Sequence, residues 1–206
     1  MDLFRYPSLR WKTISAGFVF LAIQVIYYGT TLNLDKTGYD KLTNQEIVGV
    51  SEGIGYIGAE LIVSKVRRKR TSLIGLILSS LLCLALAFLS IFQNSDNEHT
   101  FRLIESGGLI LNRFILCGFW AIFYIYIAEM YPTRVRSLGF GWSSAMGTVG
   151  STMAPYLIFG STNLGINSWI PPGAIGLLCA TSIFCLKETK GKPLKDEIDE
   201  IENGIK

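Results

Sequence analysis

The sequence predicts an all-α membrane protein: six transmembrane helices with both termini on the cytoplasmic side. Three observations predict it. Apolar residues gather into six blocks of span length, and the charges lie almost wholly between them. Of the 19 Lys and Arg, 15 fall on the two ends and alternate connections. The chain is 50% hydrophobic and only 17% charged, with mean hydropathy +0.38, whereas soluble domains carry about 25% charged residues. A soluble helical bundle is the competing class. Six consecutive blocks near the ~20 residues that cross ~30 Å of hydrocarbon argue against it, and barrel strands would be shorter and alternating.

Each element follows in order. Residues 1–12, with Arg5, Arg10 and Lys12, precede the first span at 13–33 and read as a cytoplasmic loop remnant. No small-residue cleavage site ends that span, so it is not a signal peptide. The second span, 45–64, leads through Lys65, Arg67, Arg68, Lys69 and Arg70 into the third, 71–92. The polar stretch "QNSDNEHT" holds His99, the single histidine, and reads as a solvated loop before the fourth span, 109–128. Arg134 and Arg136 separate this from the fifth, 138–160, and 169–187 is the sixth. Lys187 closes that span and the tail, 188–206, adds Lys190, Lys192, Lys195 and Lys206; Ile198 and Ile201 amid its acids suggest a short exposed helix or an unstructured end. Only Lys36, Lys41, Arg102 and Arg113 fall elsewhere. Because basic residues favour the cytoplasm, both termini lie there. The protein is therefore expected to be multi-pass, in contact with lipid and with no nucleic-acid partner.

Composition excludes most chemistry. Cys83, Cys117, Cys179 and Cys185 all lie in apolar blocks without a CxxC pair, so they read as small buried hydrophobes. With one histidine and no nucleophile motif, neither an enzyme nor a metal or cofactor site is expected. Polar groups within the spans are the informative ones, because a central charge costs about 2.5–3.5 kcal/mol on insertion scales. Glu52, in "VGVSEGIGYIG", should face a cavity, a cation or a basic partner. Glu60 lies nearer the cytoplasm and is expected to pair with Lys65 or Arg68. Gln24 shares a helical face with Tyr28 at four residues and Tyr27 at three, which suits either a ligand wall or an interfacial aromatic belt. Gly139, Ser143, Gly147 and Ser151 recur every four residues as a small-residue face for close packing. Gly150 and Pro155 add backbone irregularity there.

Four segments resemble the organic cation, anion and carnitine transporters of the major facilitator superfamily: "DLFRYPSLR" at 2–10, "YYGTTLN" at 27–33, "YIYIAEMYPTRVRSLGFG" at 124–141 and "KETKGKPLKDEIDEIE" at 187–202. The resemblance covers nearly the whole chain and corresponds to that family's C-terminal half. It implies a half-bundle of three plus three helices in inverted repeat, a compatible grouping although the two triplets show no visible similarity. Sugar porters share the ExYPTxxR and ETKG features. They would show a double Gln in the first span and a GPxPW-like motif in the fourth, where this chain has "AIQVIYYG" and "LNRFILCGFWAIFYIY".

The resemblance implies roles by position. Tyr27 and Tyr28 match aromatics lining the family's substrate cavity, Glu52 an acidic position and Tyr56 a position that is Lys or Tyr in different branches. Gln24 and Thr148 are secondary candidates for the same wall. Glu129, Arg134, Arg136 and Arg68 fall in the cytoplasmic charge network that opens and closes during alternating access. Departures are equally specific. Thr148 stands where cation carriers have Asp and many anion carriers Arg, Ala121 replaces a polar residue, and "SKVRRKR" lacks the Asp and Gly of a DRxGRR-like loop. Glu52, read as lacking a compensating Arg, tilts the expectation toward cations or zwitterions.

The expected function is transport of small organic ions at the plasma membrane, as half of a twelve-span carrier whose other, N-terminal six-span half is missing sequence or a separate chain. Truncation is the preferred reading of the start at Met1. The alternatives are a non-transporting half-protein acting as scaffold or regulatory partner, and a sugar-porter-like carrier.

Overall fold

A computed structural model describes residues 6–34, 41–92 and 98–191. Their structure is helical. Six α-helices follow in order: α1 (Pro7–Leu32), α2 (Lys41–Val63), α3 (Arg68–Leu89), α4 (Glu98–Met130), α5 (Arg136–Asn163) and α6 (Ile170–Ala180). A 3-10 turn, Ser90–Phe92, continues α3, another, Thr133–Val135, precedes α5, and a third, Thr181–Cys185, extends α6. Three helical stretches are both long and apolar enough to cross a membrane: Leu9–Leu32, Arg68–Leu89 and Thr100–Met130. Ile170–Cys185 is apolar but shorter. Helices α2 and α5 carry too many polar and small residues to reach the same hydropathy, among them Asn44, Glu46, Glu52 and Glu60 in α2.

Local chemistry sets the helix ends. Pro7 opens α1 at a position where its missing N–H is no loss, and Asn33 closes it by donating Nδ2 to the Gly29 carbonyl at 3.0 Å. Asn167 accepts the Trp169 N–H at 3.0 Å where α6 begins, and Pro171 and Pro172 follow in its first turn. Helix α5 ends in a left-handed Gly165 at φ 71°, with Ile166 N–H returning to the Ser161 carbonyl at 2.8 Å; only glycine adopts that φ without strain.

Two differences from the sequence expectation stand out. Helix α4 begins at Glu98, well before the apolar block at 109–128, so His99 lies in a helical turn and not in a loop. A mixed stretch, in which Phe101, Leu103 and Ile104 stand among polar residues, continues the helix beyond the purely apolar block. The small-residue face of α5 runs through Gly139, Ser143, Gly147, Gly150 and Ala154, all buried, with Gly150 in place of Ser151. Steps of four, four, three and four follow the 3.6-residue turn, which a strict four-residue repeat does not.

That face packs on α1, the most extensive helix pair of the fold. Helix α4 lies against both α2 and α3, and α6 against α3 and α1. The core includes Phe20, Ile23, Leu76, Leu116, Phe123 and Tyr126. Cys83 and Cys117 are buried and Cys179 partly so, whereas Cys185 is exposed, so the last is not the buried hydrophobe expected of it. The tail beyond Gly191, with Ile198 and Ile201, lies outside the described residues.

Candidate functional site

An arginine ties three helices together at the middle of the bundle. Arg113 on α4 donates Nη1 to Glu52 Oε1 on α2 at 3.0 Å, and Nη2 to the Tyr27 carbonyl on α1 at 2.9 Å. It also bonds the Thr31 hydroxyl. Its guanidinium carbon sits 4.0 Å from the centroid of the Tyr27 ring, a cation–π distance. Tyr27 closes the circuit, its hydroxyl donating to Glu52 Oε2 over 3.4 Å. The Arg113 side chain is 2% exposed and that of Glu52 20%. The carboxylate is thus the more accessible half of the pair.

This overturns the reading of Glu52 as uncompensated. An arginine in hydrocarbon requires a partner for the same reason an acid does, and these two residues meet that need reciprocally. The net charge of the pair is zero, so a tilt toward cations rests no longer on an uncompensated acid but on Glu52 being the more accessible half. Arg113 was the site residue that sequence reasoning missed. A lone basic residue within an apolar block, at a depth comparable to a lone acid, was the available signal.

Aromatic rings extend from this pair. Tyr27 meets Tyr28 edge to face at 5.4 Å and Trp120 at 5.5 Å, and Trp120 stacks on Tyr124 at 6.1 Å. Tyr28, Tyr56 and Tyr124 are exposed. Three buried polar atoms in this neighbourhood lack a partner among the described residues: Gln24 Oε1, Arg113 Nε and Trp120 Nε1. Orphaned buried groups are rare and call for a ligand, ion or water. Tyr27 thus joins Tyr28 and Glu52, and Gln24 lies one turn before the two tyrosines on α1. Thr148 does not join them. It is exposed on α5 and donates to the Ser144 carbonyl of its own helix at 3.2 Å.

A second polar cluster forms where α3 begins and α4 ends. Arg68 Nη2 and Glu129 Oε1 are 3.3 Å apart, and the Thr189 hydroxyl donates to Glu129 Oε2 at 2.7 Å. Arg68 thus pairs with Glu129, and not with Glu60, which is exposed. Three further bonds hold this end: Tyr126 to the Lys187 carbonyl at 2.7 Å, Lys69 Nζ to the Phe184 carbonyl at 2.9 Å, and Lys190 Nζ to the Lys65 carbonyl. Tyr131 donates to Thr13 at 3.1 Å just beside it. Its burial pushes the phenol up to about 12, while its hydrogen bonds with Thr13 and Ser143 pull the other way. Arg134 is exposed, and Arg136 has Nε and Nη2 buried without a partner among the described residues. Only Arg68 and Glu129 of the expected charge network meet directly.

The Thr189 contact makes a local prediction. Glu129→Gln should raise trypsin cleavage after Lys187 and Lys190 several-fold, and lower global stability by about 1.5–3 kcal/mol, the loss of charged hydrogen bonds in a pair whose side chains are only 12% and 27% exposed. Unchanged cleavage would show that Glu129 does not hold this segment. Among the described residues no group of three or more His, Cys, Asp or Glu is placed to hold a metal.

The family model for sugar (and other) transporters matches residues 4–201. The chain belongs to that family. It is a family of carriers and not of enzymes. Among curated relatives, solute carrier family 22 member 6 of Pseudopleuronectes americanus is 30% identical over 98% of the chain and 34% of its own length. An organic cation transporter protein of Drosophila melanogaster is 32% identical over 98% of the chain and 35% of its own length. Organic cation/carnitine transporter 2 of Rattus norvegicus is 27% identical over 97% of the chain and 34% of its own length. The resemblance to organic-ion carriers is borne out by these relatives, and the chain spans about a third of their length.

Proposed function

We propose that this chain forms one half of a plasma-membrane carrier for small organic ions, cations or zwitterions in preference to anions, working by alternating access. The observation that carries the reading is the Arg113–Glu52–Tyr27 circuit, with its accessible carboxylate and three unpartnered polar atoms beside an aromatic wall. Arg113 is buried behind its partners and Glu52 is the edge a ligand meets, so a cationic centre would approach Glu52 between Tyr28 and Tyr56. Gln24 Oε1 and Trp120 Nε1 would orient polar groups of the same ligand. Thr148 has no direct part.

Six spans with cytoplasmic termini fit the arrangement, because residues near 13, 65–70, 126–136 and 187–190 meet at one end. An N-terminal six-span half would complete the cavity across the exposed tyrosines. It would also supply a carboxylate for the orphaned guanidinium atoms of Arg136. Arg68, Glu129 and Thr189 would form the cytoplasmic latch, replacing the Asp that this loop lacks, with Arg134 at its rim. In such carriers two bundles rock about a site near the midplane.

The test is uptake into vesicles holding the chain with an N-terminal half, using a quaternary ammonium, an aromatic carboxylate and a zwitterion. Glu52→Gln should reduce ammonium uptake to background. Because it leaves the buried Arg113 guanidinium without its counter-charge, it should also lower stability, so uptake is compared at equal amounts of folded protein in the vesicles. Uptake kinetics unchanged by Glu52→Gln would remove Glu52 from the site. Preference for the carboxylate would overturn the charge class.

A further inference from the structure

Helices α2 and α3 diverge from their shared turn, and the wedge between them is open. It forms an apolar groove of about 450 Å³, within the roughly 300–1,000 Å³ of small-ligand sites. Gly58 and Ile62 form one wall, Thr71, Ile74 and Leu78 the other, and α4 closes the floor at Gly118. A Cβ built on Gly58 would meet no atom within 4 Å, so this wall is unfilled. The lining offers no convergent set of polar groups, which argues against a polar solute. A void of this size lined by hydrocarbon forfeits its dispersion contacts unless something apolar enters.

The open end carries charge of one sign. Lys65 and Arg67 lie in the turn that joins α2 to α3, where the Lys65 N–H bonds the Ile62 carbonyl at 2.9 Å and the Arg67 carbonyl accepts the Thr71 N–H at 3.0 Å. The two basic residues therefore sit where the groove walls end. Both side chains are exposed, as is that of Arg70, and among the described residues none of the three is in an ion pair. The neighbouring acids are committed or turned away. Glu129 takes Arg68, and Glu188 Oε1 accepts the backbone N–H groups of Lys69, Thr189 and Lys190. Glu60 sits two residues from both Gly58 and Ile62, hence on another face of α2.

We propose that this wedge is a binding site for one anionic phospholipid, an acyl chain lying in the groove and the headgroup phosphate between Lys65 and Arg67. Apolar depth beneath a basic rim at the cytoplasmic end is the chemistry that selects such a lipid. The inference requires the chain to lie in a bilayer but does not depend on what it carries.

Native mass spectrometry of the chain in detergent, mixed with phosphatidylserine or phosphatidylcholine, tests it without any transport. The wild-type chain should retain one phosphatidylserine about tenfold more strongly than phosphatidylcholine. The pair Lys65→Gln and Arg67→Gln should erase that preference while leaving phosphatidylcholine retention unchanged. Gly58→Phe should weaken both lipids, with helicity by circular dichroism as the folding check. Ile62→Trp fills the same wall should Gly58→Phe not fold. Equal retention of the two lipids by the wild-type chain would overturn the proposal. So would retention indifferent to both groove-filling variants, which would leave the groove to a protein contact or to unspecific annular lipid.

Discussion

Arg113→Gln should destabilise the protein by about 3–5 kcal/mol, the usual loss when one partner of a buried ion pair is removed. The reason is geometric. From α4, Arg113 bonds α1 and α2 at once, through Tyr27, Thr31 and Glu52. Without it Glu52 keeps only the long bond from Tyr27 at 3.4 Å, and the Tyr27 carbonyl and Thr31 hydroxyl lose a charged donor. Restoring electroneutrality should restore much of the fold. The double variant Glu52→Gln, Arg113→Gln should be more stable than Arg113→Gln alone, because no uncompensated charge is left in the bundle. Thermal unfolding in detergent of the two singles and the double closes this cycle. Strict additivity of the two single effects would show that the pair does not act as a unit. The double should nevertheless fail in transport if Glu52 meets the substrate, which separates the structural and the ligand-facing roles of one carboxylate.

The fold was legible where composition alone decides it. Long apolar blocks separated by basic connections required helices, and α1, α3 and α5 fall close to the blocks that announced them. Helix α4 was read too short, since hydropathy reports which residues prefer lipid, whereas the helix also includes the amphipathic turn from Glu98 to Gly108. The site was legible as residues but not as a circuit. Glu52 and Arg113 lie on different helices, 61 positions apart, and no periodicity within either helix encodes that they meet. Glu60 illustrates the converse. Proximity in sequence suggested Arg68 as its partner, yet Arg68 at the start of α3 reaches across to Glu129 at the end of α4. Thr148 was carried into the site by resemblance alone; it is exposed on α5 and its hydroxyl bonds the Ser144 carbonyl of its own helix.

The close approach of α1 and α5 sets the second large expectation. A Cβ added at Gly150 would stand 2.5 Å from the Leu21 carbonyl oxygen and 3.1 Å from Leu21 Cα. These are backbone atoms, so no rotamer change relieves the clash and the helices must separate. Separation would propagate along the face, because Gly147 lies against Gln24 and Phe20 one turn away. Gly150→Leu should therefore cost about 3 kcal/mol or more, at the upper end for overpacking, and Gly150→Ala a smaller share of the same loss. Gly141 on the same helix provides the control. Its added Cβ meets nothing within 4 Å, so Gly141→Ala should be neutral or stabilise by up to about 1 kcal/mol through helix propensity. Unfolding midpoints of the three variants decide the matter. Equal effects of alanine at 150 and 141 would show that α1 and α5 tolerate a wider spacing. A loss confined to position 150 would place the rigid seam of the bundle there, and Gln24, at the edge of that seam, would shift in step with it.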